Sequence, residues 1–320
     1  PGRLYFLTHF HADHYGGLSR RWAEDAHSKI YCSAITARLV IKRLGVPEGR
    51  VERLPMNTPV PVSIGESRAT VQLLDANHCP GAVLLLFRLT GGKVVLHTGD
   101  FRYAPCVKAR LHEALGGAPL DVLYLDTTYC HPKHAFPSQQ SVVSAVLSRC
   151  VLLRESKRTL VLFGAYTIGK ERVFLEAARQ VDFRLHVSAA RLSTLACLQL
   201  PAEDMARFTT DASATRWAVV PMGHLRFDRM RALLKASNGR YTSVVGFRPT
   251  GWVATASGSA ATAAGRTLRA GPLQLHELPY SEHSSFAELQ ACVRQLRPRL
   301  IVPTVGAPAE ARAQVGMLQG

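Results

Sequence analysis

Thr8-His9-Phe10-His11-Ala12-Asp13-His14 reads H-x-H-x-D-H and sets four side chains able to ligate a metal within six residues. The apolar run before it, Leu4-Tyr5-Phe6-Leu7, reads as a buried strand. After it, Tyr15-Gly16-Gly17-Leu18 turns the chain toward a predicted helix over 19–26. Histidines two apart at a frayed strand end point the same way and can reach one ion. Asp13 and His14, around the turn, can reach a second. Imidazole together with carboxylate suits a borderline ion such as zinc. The alternative, a polar loop that happens to hold histidines, leaves the density of the run unexplained.

Working outward, further ligand types stand where predicted strands end. Residues 29–32 read as a short strand, and 36–44 as a helix stopped by Gly45 and Pro47. Strands over 60–64 and 69–74 flank the turn Gly65-Glu66. The second runs into Asp75-Ala76-Asn77-His78-Cys79-Pro80-Gly81, where Pro80 stiffens and Gly81 frees the loop that carries His78. Residues 83–89 and 94–97 form an apolar hairpin about Gly91-Gly92, and its second strand ends in Thr98-Gly99-Asp100. Alone, Asp100 reads as a turn carboxylate. Behind H-x-H-x-D-H and His78 it reads as a ligand, and one carboxylate can bridge two ions. His97, inside the strand, reads as a packed, hydrogen-bonded side chain. His27, His112, His131, His134, His186, His224 and His276 read as surface or structural.

The order H-x-H-x-D-H, then a lone histidine, then a lone aspartate resembles the metal-site motifs of the metallo-β-lactamase superfamily. With 320 residues, 47% of them hydrophobic, the chain can bury a sizeable core in one large domain or two. No apolar run of about 18 residues occurs, so no membrane span or membrane partner is expected. No signal peptide opens the chain. Pro1 lies so close to the metal motif that the chain is expected to be a fragment of a longer protein. The seven cysteines are widely spaced and form no C-x-x-C, which argues for reduced thiols rather than a disulfide framework. A formal charge of +16 favours a polyanionic partner, nucleic acid being the commonest.

The remainder has α/β character. Residues 120–125 read as a strand ending in Asp126-Thr127-Thr128-Tyr129. Phe136-Pro137-Ser138-Gln139-Gln140 opens a helix with apolar positions at Val142, Val143, Val146 and Leu147. A strand over 159–163 leads through Gly164-Ala165-Tyr166-Thr167-Ile168-Gly169-Lys170 into a helix over 171–181, an anion-binding geometry. It is not a P-loop, because no Ser or Thr follows the G-K. Helices near 192–198 and 226–235 and strands near 207–210 and 242–246 follow, then Phe247-Arg248-Pro249-Thr250-Gly251-Trp252 and a Gly/Ala/Ser-rich loop over 254–264. Tyr280-Ser281-Glu282-His283-Ser284-Ser285 precedes a helix over 286–296 and a strand over 300–305. Its serines can cap the helix or hold an anion.

D-T-T, F-P-S-Q-Q, I-G-K-E, F-R-P-T-G-W and P-Y-S-E-H-S-S look like the β-CASP branch of the superfamily, and within it the DNA cross-link repair nucleases of 5′ exonuclease type. The resemblance covers essentially the whole chain. It implies an αββα metallo-β-lactamase sandwich over 1–158 and 276–320, interrupted by an α/β β-CASP domain over 159–275. It implies that His9, His11 and His78 hold one zinc, that Asp13, His14 and His283 hold another, and that Asp100 bridges them. Asp126 would orient His283. Asp13, Asp100, Asp126 and His283 would carry the catalysis. Tyr166, Thr167, Lys170 and Ser284 would bind a substrate phosphate. Val305 stands where RNA-cleaving relatives carry a histidine, implying DNA over RNA. The family's T-Y-S-I-G-K is here Ala165-Tyr166-Thr167-Ile168-Gly169-Lys170, which loses one hydroxyl. The acidic motif and strands that precede H-x-H-x-D-H in the family are absent, as expected of a fragment.

The chemistry implied is two-zinc phosphodiester hydrolysis. A bridging hydroxide, its pKa depressed toward about 7, would attack phosphorus in line. The expected protein is a 5′ to 3′ exonuclease in interstrand cross-link repair, acting in the nucleus on DNA that is single-stranded or bears a 5′ phosphate. The same branch allows a structure-specific endonuclease or an RNA-processing nuclease. A small-molecule metallo-hydrolase fits the basic insertion and the later motifs less well. A non-catalytic DNA-binding scaffold has no need of the intact ligands.

Overall fold

The computed structural model describes residues 4–19, 22, 28–64, 67–251 and 262–319. The helix expected over 19–26 lies outside the described residues apart from Ser19 and Trp22, as do the Gly65-Glu66 turn and most of 254–264. The chain divides into two compact units, Pro1–His134 with Glu282–Gly320, and Ala135–Ser281.

The first unit is a two-sheet sandwich. Leu4–Phe6, Lys29–Cys32 and Val51–Arg53 pair in parallel to form a small sheet. A six-stranded sheet runs in the order Leu300–Pro303, Val122–Leu125, Val94–His97, Val83–Leu89, Ser67–Asp75, Val60–Ile64. Leu54, Val62, Val71, Leu73, Val83 and Leu85 form a buried cluster against which Leu4, Phe6 and Tyr31 of the small sheet pack. Helices Ala34–Leu39, Pro105–Leu115, Phe286–Leu296 and Pro308–Gln319 complete the αββα architecture. Strand direction decides where the loops emerge. Leu300–Pro303, Val122–Leu125 and Val94–His97 are parallel, so all three end at one sheet edge. The antiparallel pairing of Val83–Leu89 with both neighbours brings the turn between Asp75 and Val83 to that same edge. The amide of Val83 donates to the Thr8 carbonyl at 3.0 Å, tying in the exit of the first strand.

The second unit is built on a seven-stranded sheet in the order Phe208–Thr209, Leu185–His186, Trp217–Pro221, Thr159–Ala165, Ser243–Pro249, Leu273–Leu278, Arg266–Ala270. All its pairings are parallel except the last. The sequence reading had drawn the inserted segment at 159–275, whereas the compact unit begins at Ala135 and ends at Ser281. Helix Gln139–Leu153 packs on helix Glu171–Val181, and the Gln139 amide donates to the Ser281 carbonyl at 3.1 Å. Strands Trp217–Pro221, Leu273–Leu278 and Arg266–Ala270 were not foreseen, nor was helix Pro105–Leu115. That helix had a signal: Pro105 in its first turn, Val107, Leu111 and Leu115 at helical spacing, and Gly116 closing it at φ 57°.

Among the described residues no helix is long and apolar enough to cross a membrane. Two glycines bear directly on the loops at the shared edge. Gly81 has φ 84°, and a β-carbon there would come within 2.8 Å of Ile35. Gly99 has φ 52°, and a β-carbon there would come within 2.8 Å of Thr8. Gly99→Ala is expected to lower stability by roughly 1–3 kcal/mol through backbone strain and overpacking. The measurement is the denaturant midpoint, which should fall; an unchanged midpoint would mean that the loop relaxes without cost.

Candidate metal centre

All of the metal-ligating residues expected from the sequence lie in the first unit. His9 and His11 stand just beyond the first strand, and Asp13 and His14 in the turn after them. His78 is carried by the turn after Ser67–Asp75, which Ser33 and Thr36 fasten by donating to the Gly81 carbonyl at 2.7 and 3.2 Å. Asp100 follows Val94–His97, Asp126 follows Val122–Leu125, and His283 lies two residues before the Ser285 cap of helix Phe286–Leu296.

Three groups of donor atoms form, each within 4.8 Å: His9, His11, His78 and Asp100; Asp13, His14 and Asp100; Asp100, Asp126 and His283. Asp100 belongs to each. Its Oδ2 lies 3.5 Å from His9 Nε2 and 3.7 Å from His78 Nε2, while Oδ1 lies 3.3 Å from His14 Nε2. Its two oxygens thus face two groups. The expectation that Asp13, His14 and His283 share one ion differs from this grouping. His283 stands beside Asp126, with Nε2 4.0 Å from Asp100 Oδ2.

The donor set fits a first-row ion. His11 Nδ1 lies 3.1 Å from His9 Nε2 and 3.2 Å from His78 Nε2. Four ligands placed tetrahedrally about zinc at about 2.0–2.1 Å are separated by about 3.3 Å. His78 Nδ1 lies 2.9 Å from the Glu282 carbonyl oxygen, which only accepts. Its proton is therefore on Nδ1, and the Nε2 lone pair faces the cluster.

Electrostatics hold His9, His78 and Asp100 in their metal-binding states, whereas His14 is drawn toward its protonated form. Burial, then the neighbouring His78, His11 and His14, keeps the His9 imidazole far below its ordinary range and neutral. Burial and the nearby His283 bring His78 down to about 4. Burial favours a neutral Asp100, but the His14 hydrogen bond and then the neighbouring His283 outweigh it, leaving the carboxylate well below its usual range. Burial likewise opposes protonation of His14, yet its hydrogen bond and attraction to Asp100 raise it. Asp13 is the exposed member, its side chain 78% accessible.

The partners that position the ligands were mostly illegible in the sequence. Asp126, 1% exposed, accepts from His283 Nδ1 at 2.8 Å, from the Thr128 hydroxyl at 2.6 Å and from the Phe101 amide at 3.3 Å. Burial would raise its pKa, but the charge and hydrogen bond of His283 lower it overall. Arg102, buried beside Asp100, reaches Glu288 at 3.2 Å, and Glu288 also closes a capping box on Ser285. The Ser284 hydroxyl donates to the Phe101 carbonyl at 3.1 Å and accepts from the Tyr103 amide at 2.9 Å. That hydroxyl is committed to the loop, so the phosphate contact expected of Ser284 is not carried further, and Ser285 caps rather than holds an anion. His97 accepts from the Gly99 amide at 2.9 Å and stacks on Tyr124, as a packed side chain. Val305, 41% exposed, lies past the last strand with its carbonyl held by the Thr127 hydroxyl at 2.8 Å.

The remaining expected residues lie in the second unit. Tyr166 and Thr167 are exposed beyond the end of strand Thr159–Ala165. Lys170 was expected to stand either on a phosphate or in solvent beside Glu171. It is 6% exposed, adopts φ 71°, and sets its ammonium 5.2 Å from the Tyr280 ring centre. Glu171 is itself buried and takes the Gly169 amide on both carboxylate oxygens, at 2.8 and 3.0 Å. Within the segment expected to bind an anion, the Gly169 amide is thus engaged by the chain's own carboxylate.

Comparison with known proteins agrees with this geometry. A family model described as "Beta-lactamase superfamily domain" matches residues 3–154, and one described as "DNA repair metallo-beta-lactamase" matches residues 202–308. The chain is 41% identical over 302 residues to the DNA cross-link repair 1A protein of Mus musculus, covering 94% of this chain and 28% of that protein. It is 36% identical over 308 residues to the 5′ exonuclease Apollo of Gallus gallus, covering 95% of this chain and 58% of that protein. A protein of unknown function from Enterococcus faecalis V583 shares the fold, with a TM-score of 0.60 at 16% identity over 94% of this chain and 74% of its own. The chain thus carries a segment matching the beta-lactamase superfamily domain, which holds His9, His11, His78 and Asp100 of the His/Asp cluster able to bind metal, and a segment matching the DNA repair metallo-beta-lactamase family.

Proposed function

We propose that this chain is a two-zinc 5′ exodeoxyribonuclease that shortens DNA from a 5′-phosphorylated end in interstrand cross-link repair in the nucleus. The observation that carries the reading is the His/Asp cluster sharing Asp100, backed by Asp126, in a chain similar to proteins named for DNA cross-link repair and 5′ exonuclease activity. His9, His11 and His78 would hold one zinc, and Asp13, His14 and His283 the other, with Asp100 common to both. When bound, such ions lower the pKa of a water toward about 7 and stabilise charge on phosphoryl oxygens.

The chain's own residues do the rest. Asp126 holds the His283 proton on Nδ1, which puts the lone pair on Nε2, the ligating nitrogen, and raises the basicity of the ring. The Arg102–Glu288 pair and the Ser284 hydroxyl fix the loop between Asp100 and Tyr103 against the segment that carries His283. Lys170, with the hydroxyls of Tyr166 and Thr167, would grip the terminal phosphate. With the Gly169 amide engaged by Glu171, the ammonium carries most of that attraction. The formal charge of +16 draws any polynucleotide, DNA or RNA, so selection of DNA falls to local residues such as Val305.

The test of the function is a product ladder on end-labelled single strands, DNA and RNA of matched sequence, with and without a 5′ phosphate. Nucleotides released from the 5′ end of phosphorylated DNA, faster than from RNA, are expected. Products from the 3′ end, or equal rates on the two polymers, would overturn the polarity or the DNA preference. Asp100→Ala should lower metal content on elemental analysis and reduce turnover by more than the roughly 10–100-fold typical of an outer partner; full metal with retained activity would refute the shared carboxylate. Asp126→Asn should weaken zinc binding by roughly 10–100-fold in a competitive chelator titration. Lys170→Ala should narrow the rate difference between 5′-phosphorylated and 5′-hydroxyl strands while leaving metal content intact; an unchanged ratio would remove Lys170 from the phosphate site.

A further inference from the structure

The second unit carries a basic cavity at the edge of its sheet opposite the Tyr166–Lys170 loop. Four neighbouring parallel strands, Leu185–His186, Trp217–Pro221, Thr159–Ala165 and Ser243–Pro249, run the same way. The segments leading into their amino ends enclose a cavity of about 370 Å³ whose charged lining is Lys157, Arg184, Arg216 and Arg240. No carboxylate lines it. The nearby Asp182 is paired with Arg207 at 3.0 Å, and Asp211 takes the Ser213 hydroxyl at 2.6 Å. Tyr166 and Lys170 lie past the far end of Thr159–Ala165, about 20 Å away along the strand.

Two of the four cations are built into the wall. Arg216 donates to the carbonyls of Leu153, Arg154 and Thr159 and lies 4.6 Å from the Trp217 ring centre. Arg240 donates to the carbonyls of Ala212 and Ser213 and lies 5.2 Å from the Tyr241 ring centre. Carbonyl oxygens orient both guanidinium groups; Asp211 attracts Arg240 and Glu155 attracts Arg216, but neither carboxylate lines the cavity. Lys157 and Arg184 stand exposed at the same mouth. Trp217 is covered by Phe183 on one side, stacked at 4.0 Å, and by Arg216, so its face is not open to a base. Charge is what this cavity offers a ligand.

We infer that this cavity is a second phosphate-binding site for a nucleic-acid strand, gripping backbone phosphates at the end of the sheet opposite the Tyr166–Lys170 loop. Two guanidinium groups held in place by carbonyls and flanked by two exposed cations suit successive phosphates of a flexible single strand. The inference rests on the reading of DNA as substrate.

Lys157→Ala/Arg184→Ala tests it without disturbing the arginines that hold the fold. Binding of a labelled phosphorothioate 20-mer, measured by fluorescence anisotropy across a salt series, should weaken about fivefold to tenfold. The slope of log affinity against log salt should fall by about 1.4, two phosphates' worth. Arg231→Ala/Lys235→Ala, which removes the same charge from the exposed face of helix Phe227–Ala236, should change neither. Equal losses in the two double variants, or none in the first, would overturn the site. Tripolyphosphate binding that depends on Lys157 and Arg184, with 20-mer affinity unchanged, would make it a free-polyphosphate site and overturn the strand reading. Cleavage of a 5′-phosphorylated DNA trimer should be the same in all three proteins. Failure of the native chain to cleave the trimer would count against the nuclease reading alone, because the anisotropy readout needs no cleavage.

Discussion

A carboxylate that remains ionised among four imidazoles is the interaction on which the first unit depends. Asp100 is 9% exposed, and burial alone would favour its neutral form. It stays charged because His14 hydrogen-bonds it and His283 lies nearby. The same burial keeps His9 and His78 neutral. Neutral imidazoles and an ionised carboxylate are the states a transition metal requires, so the protein meets part of the protonation cost of metal binding during folding. Gathering these donors without a cation costs several kcal/mol in desolvation, which the core beneath must offset.

That offset is arranged by topology. Parallel strands end at one sheet edge and deliver Asp100, Asp126 and Val305 there, while an antiparallel turn brings His78. The loops are then locked by polar groups that are themselves satisfied. Asp126 takes four hydrogen bonds, and the Ser284 hydroxyl both donates and accepts. A buried polar group with its partners in place narrows the geometry, whereas one left unpaired would cost about 1–3 kcal/mol. Substitutions in this supporting layer should therefore act on ligand geometry as much as on stability.

The second unit uses buried charge in another way. Glu277, 2% exposed, pairs with both Arg248 and Arg266. Arg248 is the arginine of the Phe-Arg-Pro-Thr-Gly run, so that run has an internal structural duty in joining neighbouring strands. Lys170 and Glu171 are also buried, and Glu171 takes over the helix-start amide that would otherwise face an anion. At the other end of the same sheet, the cations lining the cavity meet carbonyls and no lining carboxylate. One sheet thus closes its charges internally at one edge of the segment and leaves them outward at the other.

The sequence by itself determined which side chains gather into a cluster able to bind metal, because H-x-H-x-D-H, His78 and Asp100 each follow a strand whose apolar run is readable locally. It also determined helices Glu171–Val181 and Phe286–Leu296 and strands Val83–Leu89 and Val94–His97, where periodicity and flanking glycines agree. Strand Trp217–Pro221, buried in a parallel sheet, shows no alternation, and Leu273–Leu278 takes its place only by pairing with Ser243–Pro249. Only the tertiary structure decided that Ser284 is spent on its own loop, that Arg102 pairs with Glu288, and that Lys157, Arg184, Arg216 and Arg240 line one cavity. Ligand type and strand-end position are properties of a few adjacent residues. Partnership and burial depend on segments as many as 204 residues apart, as between His78 and Glu282, and no local pattern encodes which of them will meet.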